Sequence, residues 1–190
     1  MYPRILKRKI DILVSAFLLL ILLPLFILIG AIVYFEGFHK PFFFQTRIGK
    51  HGKPFTIYKF RSMLPQKKYG LTTVNNTITV IGGFLRRYKL DELPQLLNIL
   101  KGEMSFVGPR PGLPSMSAKL DYNGKIRLKV RPGLTGWADV NGGIYLPWPE
   151  RWVYDRFYVE NLSFRLDLKI FLRTFNVVLF GENFYLKRKS

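Results

Sequence analysis

The sequence has no cysteine and only two histidines among its 190 residues. The absence of cysteine excludes disulfide bonds, thiolate zinc sites and a cysteine nucleophile, and it is compatible with a cytosolic environment. His39 and His51 alone exclude a multi-histidine metal site. Glycine and proline are too few for a low-complexity polymer, and a hydrophobic fraction of 48% is ordinary for a globular chain. The length predicts one folded domain.

Acidic residues are scarce as well, since 12 Asp and Glu stand against 30 Lys and Arg, a formal net charge of +18. Such an excess implies an anionic partner, which is nucleic acid, anionic lipid or a phosphorylated substrate. Composition does not choose among these three.

Residues 12–35 form a run without a charged side chain. A straight helix of this length would measure about 36 Å, enough for a hydrocarbon core of about 30 Å. The run is too long for a signal peptide and lacks a small-residue cleavage site, so we interpret it as a retained membrane segment.

Pro24, at the midpoint of the run, predicts a bend in this helix. Two geometries remain open: a kinked single span, because proline is tolerated in membrane helices, and a re-entrant segment that enters and leaves on one side. The second is indicated by equal numbers of basic residues on the two flanks. They are Arg4, Lys7, Arg8 and Lys9 before the run, and Lys40, Arg47, Lys50 and Lys53 after it.

The remaining chain has the composition of a basic globular domain, which predicts a membrane segment over 1–37 and a catalytic-sized domain over 38–190. Within it, 42–45 and 54–60 flank a glycine-bearing turn and predict a β-hairpin, whereas 65–79 predicts a loop. Near the C-terminus, apolar residues at helical spacing alternate with basic ones, as in an interfacial membrane helix or a core-facing helix with a solvated side. The apolar positions are Leu168, Phe171, Leu172, Phe175 and Leu179.

The adjacent acids Asp91 and Glu92 precede a short amphipathic helix predicted over 93–100. An isolated pair of this kind is most simply structural, because Asp is a good N-cap and Glu in a first turn favours the helix dipole. Cations nearby in the sequence or in rigid proline-glycine turns favour another interpretation, a site for Mg²⁺ and a diphosphate, because arginine binds phosphate bidentately. These cations are Lys59, Arg61, Arg86, Arg87, Lys89, Arg110 and Arg131.

Four motifs then occur in order: KFRSM at 59–63, LDELPQLLN at 90–98, KGEMSFVGPRP at 101–111 and RPGLTGW at 131–137. In this order and spacing the chain resembles the bacterial sugar transferases called monotopic phosphoglycosyl transferases, over nearly its whole length. The resemblance implies a mainly helical α+β fold with a re-entrant helix broken at Pro24, interfacial amphipathic helices and a small β-hairpin. It also implies an enzyme at the bacterial inner membrane whose catalytic domain faces the cytoplasm.

The reaction that this resemblance implies moves a sugar 1-phosphate from a UDP-sugar to a polyprenyl phosphate such as undecaprenyl phosphate. UMP is released, Mg²⁺ is required, and the product begins membrane glycan assembly. Asp91 matches the family's nucleophile, which forms a covalent phosphosugar intermediate, and Glu92 matches the second acid, which assists the acceptor or holds the metal with Asp91. Residues that match phosphate- or carboxylate-orienting positions are Lys59, Arg86 and Arg110; Arg61 and Arg131 are further candidates, and Asp155 matches another recurring acid.

The implied partners are the two substrates and membrane lipids, with a homodimer allowed and nucleic acid not expected. Some positions depart from the family pattern: Leu23 replaces the usual serine before the proline, and Asp139 and Gly143 replace a glutamine and an arginine, so we expect a different sugar specificity. An alternative hypothesis is a basic membrane-surface scaffold that binds anionic lipid or nucleic acid without catalysis. A third is an inactive partner of another transferase, against which the intact acids and arginines count.

Overall fold

A computed structural model describes residues 4–38, 40–64 and 78–180. Its α-helices are α1 (Arg4–Ile21), α2 (Leu23–Val33), α3 (Val80–Arg87), α4 (Leu96–Lys101), α5 (Tyr122–Ile126), α6 (Trp148–Glu160) and α7 (Phe164–Phe180). Its strands are β1 (Phe42–Ile48), β2 (Pro54–Phe60), β3 (Ser105–Val107) and β4 (Gly133–Thr135). The prediction of a mainly helical α+β fold with a small β-hairpin is therefore confirmed. The predicted loop over 65–79 lies outside the described residues except for its last two positions.

The first two helices form a bent pair, with an angle of 62° between Ile5–Ile21 and Leu23–Glu36. Leu22 separates them and Pro24 lies in the first turn of α2, where a missing backbone N–H is tolerated. Within 4–38, 40–64 and 78–180 no single helix is long and apolar enough to cross a bilayer, whereas this bent pair qualifies by length and composition as a broken span or re-entrant segment. Leu13, Phe17 and Leu20 on α1 are exposed, as expected for side chains that face lipid.

Both ends of the bent pair bind the rest of the protein. At the start of α1, Arg8 donates hydrogen bonds to the carbonyls of Ile99 at 2.5 Å and Leu100 at 2.8 Å, at the end of α4. One turn later, the Asp11 carboxylate accepts from the Ser105 hydroxyl at 3.1 Å, at the start of β3. Beyond the end of α2, the Glu36 carboxylate accepts from the Thr79 hydroxyl at 2.9 Å, at the start of α3.

The predicted hairpin consists of β1 and β2, which pair antiparallel from Phe42 opposite Phe60 to Ile48 opposite Pro54. Its turn contains Gly52 with a φ of 74°, a left-handed conformation that favours glycine. Asn98 on α4 fastens the hairpin: its amide nitrogen donates to the Thr56 carbonyl at 2.7 Å and its amide oxygen accepts from the Tyr58 N–H at 3.1 Å. The end of β2 is thereby held against the segment that contains the two acids.

Strands β3 and β4 pair in parallel and approach so closely that two glycines are required. A Cβ on Gly133 would lie 2.2 Å from the backbone nitrogen of Gly108, so no larger residue fits there. The turn that follows β3, with Pro109 and Arg110, is fixed by this contact.

The C-terminal helix α7 has two apolar faces. Ile170 and Val177 are buried with Val107, Val140 and Tyr158 in one hydrophobic cluster. The other face carries side chains that are largely exposed, among them Leu168, Leu172, Phe175 and Leu179. One face of this helix thus belongs to the core, as one of the two sequence interpretations expects, and the other has the apolar character that an interfacial helix requires.

Candidate active site

Asp91 and Glu92 lie in a 3₁₀-helix, Leu90–Gln95, that leads directly into α4. The residue before it, Lys89, has a φ of 57°, a left-handed conformation that costs energy for a side chain other than glycine and is frequent at functional sites. The capping position belongs to Lys89, with no side-chain cap, so the structural interpretation of Asp91 as an N-cap is wrong. Both acids are instead buried inside the first turn.

Glu92 is held by two cations. Its Oε1 accepts a hydrogen bond from the Lys59 ammonium at 2.7 Å and another from the Arg110 guanidinium. Burial opposes ionisation of this carboxyl, but Arg110 and Lys59 outweigh it and lower the pKa of Glu92 to about 2. Glu92 is therefore a fixed anion that holds the Lys59 and Arg110 cations at the acid pair.

Asp91 differs from Glu92 both in its contacts and in the direction of its pKa shift. Its Oδ1 is buried and has no hydrogen-bond partner among the described residues. Burial, together with the charge of Glu92, raises the pKa of Asp91, although Lys59, Arg86 and Lys89 act against the rise. A buried acceptor without a donor is unfavourable by about 1–3 kcal/mol, which native proteins tolerate where a ligand or a reaction uses the atom. The geometry leaves this oxygen available to attack or to bind a metal.

A cavity of about 310 Å³ adjoins Glu92 and has both charged and apolar side chains in its lining. The charged side chains are those of Lys89, Glu92, Arg110 and Asp139. The rest of its wall is mainly apolar and includes Leu93, Phe106, Leu134, Phe171, Phe175, Val177 and Val178. This division suits an amphipathic ligand with an anionic head.

Three of the predicted cations, Lys59, Arg86 and Arg110, are brought to the acids. Lys59 and Arg110 bind Glu92 directly, and Arg86, at the end of α3, is close enough to influence the ionisation of Asp91. Arg61 follows the last residue of β2, and its guanidinium donates to the Phe42 carbonyl at 3.3 Å.

Arg131 is not brought to the acids. Its Nε donates to the Gly102 carbonyl at 2.8 Å, and its side chain lines a different cavity, which shares no residue with the one beside Glu92.

Asp155 is buried behind the site. It forms an ion pair with Arg127 at 3.1 Å, and Arg127 in turn donates to the backbone carbonyl of Arg110. Burial, with a contribution from the charge of Asp139, raises the pKa of Asp155 to about 7 despite the two arginines nearby, Arg127 and Arg151. Asp155 is therefore connected to the site indirectly, through Arg127 and the backbone carbonyl of Arg110.

Sequence reasoning missed Arg127, which has no motif around it, and it noted Lys89 only as one more nearby cation. It also missed the contribution of α7, since Phe171 and Phe175 were assigned only to an amphipathic pattern, although they also line the cavity. Their helical spacing could have revealed a second apolar face, but not what that face covers.

The residues present are compatible with Mg²⁺ held partly by substrate. No group of three or more metal-ligating side chains occurs within the parts of the chain that the structure describes. Mg²⁺ is typically bound by one or two carboxylates together with substrate phosphates and water, so such a group is not needed. The unpartnered Oδ1 of Asp91 suits this role, whereas Oε1 of Glu92 already accepts from two cations.

The family described as bacterial sugar transferases matches residues 2–181. The chain belongs to this family. It is 42% identical over 180 residues to the uncharacterized sugar transferase EpsL of Bacillus subtilis (strain 168), an alignment that covers 94% of this chain and 89% of the relative. The predicted family membership is therefore confirmed.

Two further relatives of this transferase have more specific names. The exopolysaccharide production protein ExoY of Rhizobium meliloti (strain 1021) is 35% identical over 198 residues, which cover 94% of this chain and 88% of the relative. The UDP-glucose:undecaprenyl-phosphate glucose-1-phosphate transferase of Escherichia coli (strain K12) is 37% identical over 183 residues, 90% of this chain but only 39% of the relative. This transferase thus spans about two fifths of the length of the latter protein.

Proposed function

We propose that this transferase moves a sugar 1-phosphate from a UDP-sugar to a polyprenyl phosphate at the cytoplasmic face of the bacterial inner membrane. The observation that carries the proposal is the buried, unpartnered Oδ1 of Asp91 beside a second acid that holds two cations. The names of the relatives support a polyprenyl phosphate acceptor, since the Escherichia coli protein is named for undecaprenyl phosphate.

In the first step, Asp91 Oδ1 forms a bond to the phosphorus that bears the sugar. The bond from that phosphorus to the UMP oxygen breaks, and UMP leaves with the electron pair. In the second step, an oxygen of the lipid phosphate attacks the same phosphorus and the aspartyl oxygen leaves, which restores the carboxylate and gives a lipid diphosphate sugar. An ionised carboxylate requires no general base for the first attack.

The surrounding cations make this attack feasible because they offset the repulsion between a carboxylate and a diphosphate. Lys59, Arg110 and Arg86 come from three different elements and meet at the acids. Mg²⁺, when bound, neutralises further phosphate charge. Because Oδ1 of Asp91 makes the attack, the predicted ligands are the remaining carboxylate oxygens of Asp91 and Glu92.

The cavity beside Glu92 is the proposed acceptor site. Its charged lining, with Lys89 and Arg110, suits the lipid phosphate, and its apolar lining from α7 suits the first part of a polyprenyl chain. A volume of about 310 Å³ holds only this first part, so the remaining chain extends along the exposed apolar face of α7 into the membrane.

The bent pair of helices is proposed to be re-entrant. Arg8 and Asp11 at one end, and Glu36 at the other, bind the same domain, which supports an arrangement with both ends on one side of the membrane. Basic residues on both flanks favour the cytoplasm as that side. The domain division at residues 37 and 38 belongs to this proposal.

The test measures UMP release from a panel of UDP-sugars with undecaprenyl phosphate and Mg²⁺, in wild type, Asp91→Asn and Asp121→Asn. Asp121 is a matched control because it caps α5 through the Gly124 N–H at 2.6 Å, a role that Asn performs equally well. We expect Asp91→Asn to abolish release, Asp121→Asn to retain it, and chelation of Mg²⁺ to stop it.

Without the lipid acceptor, wild type should retain a phosphosugar on Asp91, detectable as a mass increase on the peptide that contains it. Turnover by Asp91→Asn would refute the nucleophile. Neither UMP nor an adduct from any donor would favour the scaffold hypothesis, in which only the removal of cations affects function.

A further inference from the structure

A second cavity, of about 50 Å³, lies between the start of α1, the turn of the hairpin, β3 and the segment before β4. Its charged lining is basic in excess, with one carboxylate among five charged side chains: Lys7, Asp11, Lys50, Lys129 and Arg131. None of these residues lines the cavity beside Glu92. The proposed transfer reaction therefore leaves this cluster of cations unexplained.

Two of these cations, Lys129 and Arg131, have N–H donors that make no hydrogen bond with the described residues. Arg131 uses its Nε on the Gly102 carbonyl, and its two terminal nitrogens have no hydrogen-bond partner in the described part of the chain. Lys129 is exposed and makes no ion pair or hydrogen bond with any described residue. Lys7, by contrast, is paired with Asp167 at 2.6 Å. Unsatisfied donors that converge on one small cavity are the usual requirement for anion binding.

The carboxylate in this cavity does not neutralise the free donors. Asp11 Oδ1 already accepts from the Ser105 hydroxyl at 3.1 Å and from the Phe106 N–H at 3.2 Å. It is 3% exposed, so it contributes to the attachment of α1 more than to the surface of the cavity. The field that a ligand meets is therefore set by the lysines and by Arg131.

The size and position of the cavity indicate what the anion is. A volume of about 50 Å³ accommodates a group the size of several water molecules. This is enough for one tetrahedral anion such as phosphate but too little for a nucleoside. Lys7 and Asp11 occupy the turn of α1 immediately before the uncharged run of residues 12–35. In a re-entrant arrangement, this is the depth at which the helix passes through the lipid headgroups.

We propose that this cavity binds the phosphate of an anionic membrane phospholipid headgroup, through Lys129 and Arg131 with Lys7 and Lys50 at its sides. The inference rests on the proposed function only for its membrane placement and is independent of the transfer chemistry. A headgroup bound here would hold the start of α1, and with it the catalytic domain, at a defined depth in the membrane.

The test titrates the full-length protein in detergent micelles with phosphatidylglycerol or phosphatidylcholine and counts bound lipid by native mass spectrometry, without either substrate. The variant is Lys129→Gln, and the control is Lys125→Gln, an exposed lysine of α5 that makes the same charge change outside the cavity. We expect one phosphatidylglycerol to bind in preference to phosphatidylcholine, about fivefold more weakly in Lys129→Gln and unchanged in Lys125→Gln. Thermal unfolding of both variants checks that they fold.

Equal phosphatidylglycerol binding by wild type and Lys129→Gln would overturn the proposal. So would inorganic phosphate that binds as tightly as the lipid, because the site would then accept free phosphate. An increased KM for the UDP-sugar in Lys129→Gln, with unchanged lipid binding, would assign the cavity to the donor instead. Because no substrate is present in the titration, failure of UMP release leaves this result untouched, and the two proposals fail separately.

Discussion

The adjacent glycines of α3 provide a test of how tightly the site is assembled. A Cβ on Gly82 would lie 2.0 Å from the Ser62 carbonyl oxygen and 2.8 Å from the Thr79 hydroxyl, whereas a Cβ on Gly83 meets nothing closer than 3.9 Å. Both substitutions to alanine gain about 0.5–1 kcal/mol of helix propensity. The difference between the two variants is therefore the free energy of the clash alone.

Relief of that clash requires α3 to move by more than about 1 Å, because carbon and oxygen do not approach closer than about 3.2 Å without repulsion, and the obstructing atom is backbone. Overpacking of this kind is unfavourable by about 1–3 kcal/mol. Arg86 lies on the same helix and acts on Asp91, so a shift of this size should also lower turnover by about 10²-fold.

The assay compares thermal unfolding in detergent and UMP release for Gly82→Ala and Gly83→Ala. We expect Gly83→Ala to be as stable as wild type or more stable, with full activity, and Gly82→Ala to be less stable and nearly inactive. Equal stability and activity of the two variants would refute the close contact between α3 and the end of β2.

Three further predictions concern ionisation and buried charge. Because burial raises the pKa of Asp91, the UMP burst measured without lipid acceptor should decline on the acid side at a pH above 3.8, the ordinary value, and a burst that persists to that pH would contradict it. Arg110 and Lys59 lower the pKa of Glu92 from 4.5 to about 2. Ionised Glu92 therefore stabilises the fold above pH 4.5, and this contribution is lost as the pH falls toward 2. The difference in unfolding free energy between wild type and Glu92→Gln, followed by tryptophan fluorescence, should shrink over that range. At pH 8, above the pKa of Asp155, Arg127→Met and Asp155→Leu should each lower the free energy of unfolding by about 3–5 kcal/mol. In urea unfolding, the loss in the double variant should be smaller than the sum of the two single losses by at least about 2 kcal/mol. Additive losses would exclude the buried pair.

Features that depend on local physics could be predicted from the sequence. Pro24 removes a backbone donor wherever the chain folds, so a break was expected there, and α1 ends within a few residues of it. The hairpin follows from two apolar strands around Gly52, and the meeting of Lys59 and Arg110 with Glu92 follows from the motifs that carry the family resemblance.

Features that depend on which surfaces pack together could not be predicted. Arg131 stands in a rigid turn, as expected, but its direction is set by the pairing of β3 with β4, which brings it to Gly102. The ion pair between Asp155 and the buried Arg127 is likewise not visible in the sequence. The sequence also does not show that Asp91 lies inside the first helical turn, because the left-handed conformation that makes Lys89 the N-cap residue depends on the folded structure.

The contacts connect both helices of the bent pair to the candidate active site. Asp11 on α1 binds the start of β3, and β3 leads into the turn from which Arg110 reaches Glu92. Glu36, beyond α2, binds Thr79, which caps α3 through the Gly82 N–H at 2.9 Å, and the last turn of α3 contains Arg86, whose charge acts on Asp91. Each half of the bent pair therefore fixes one side of the acid pair. In the proposed re-entrant arrangement, a change in the depth of this segment would move both sides together and would keep the proposed nucleophile, Asp91, at the height of the lipid phosphates.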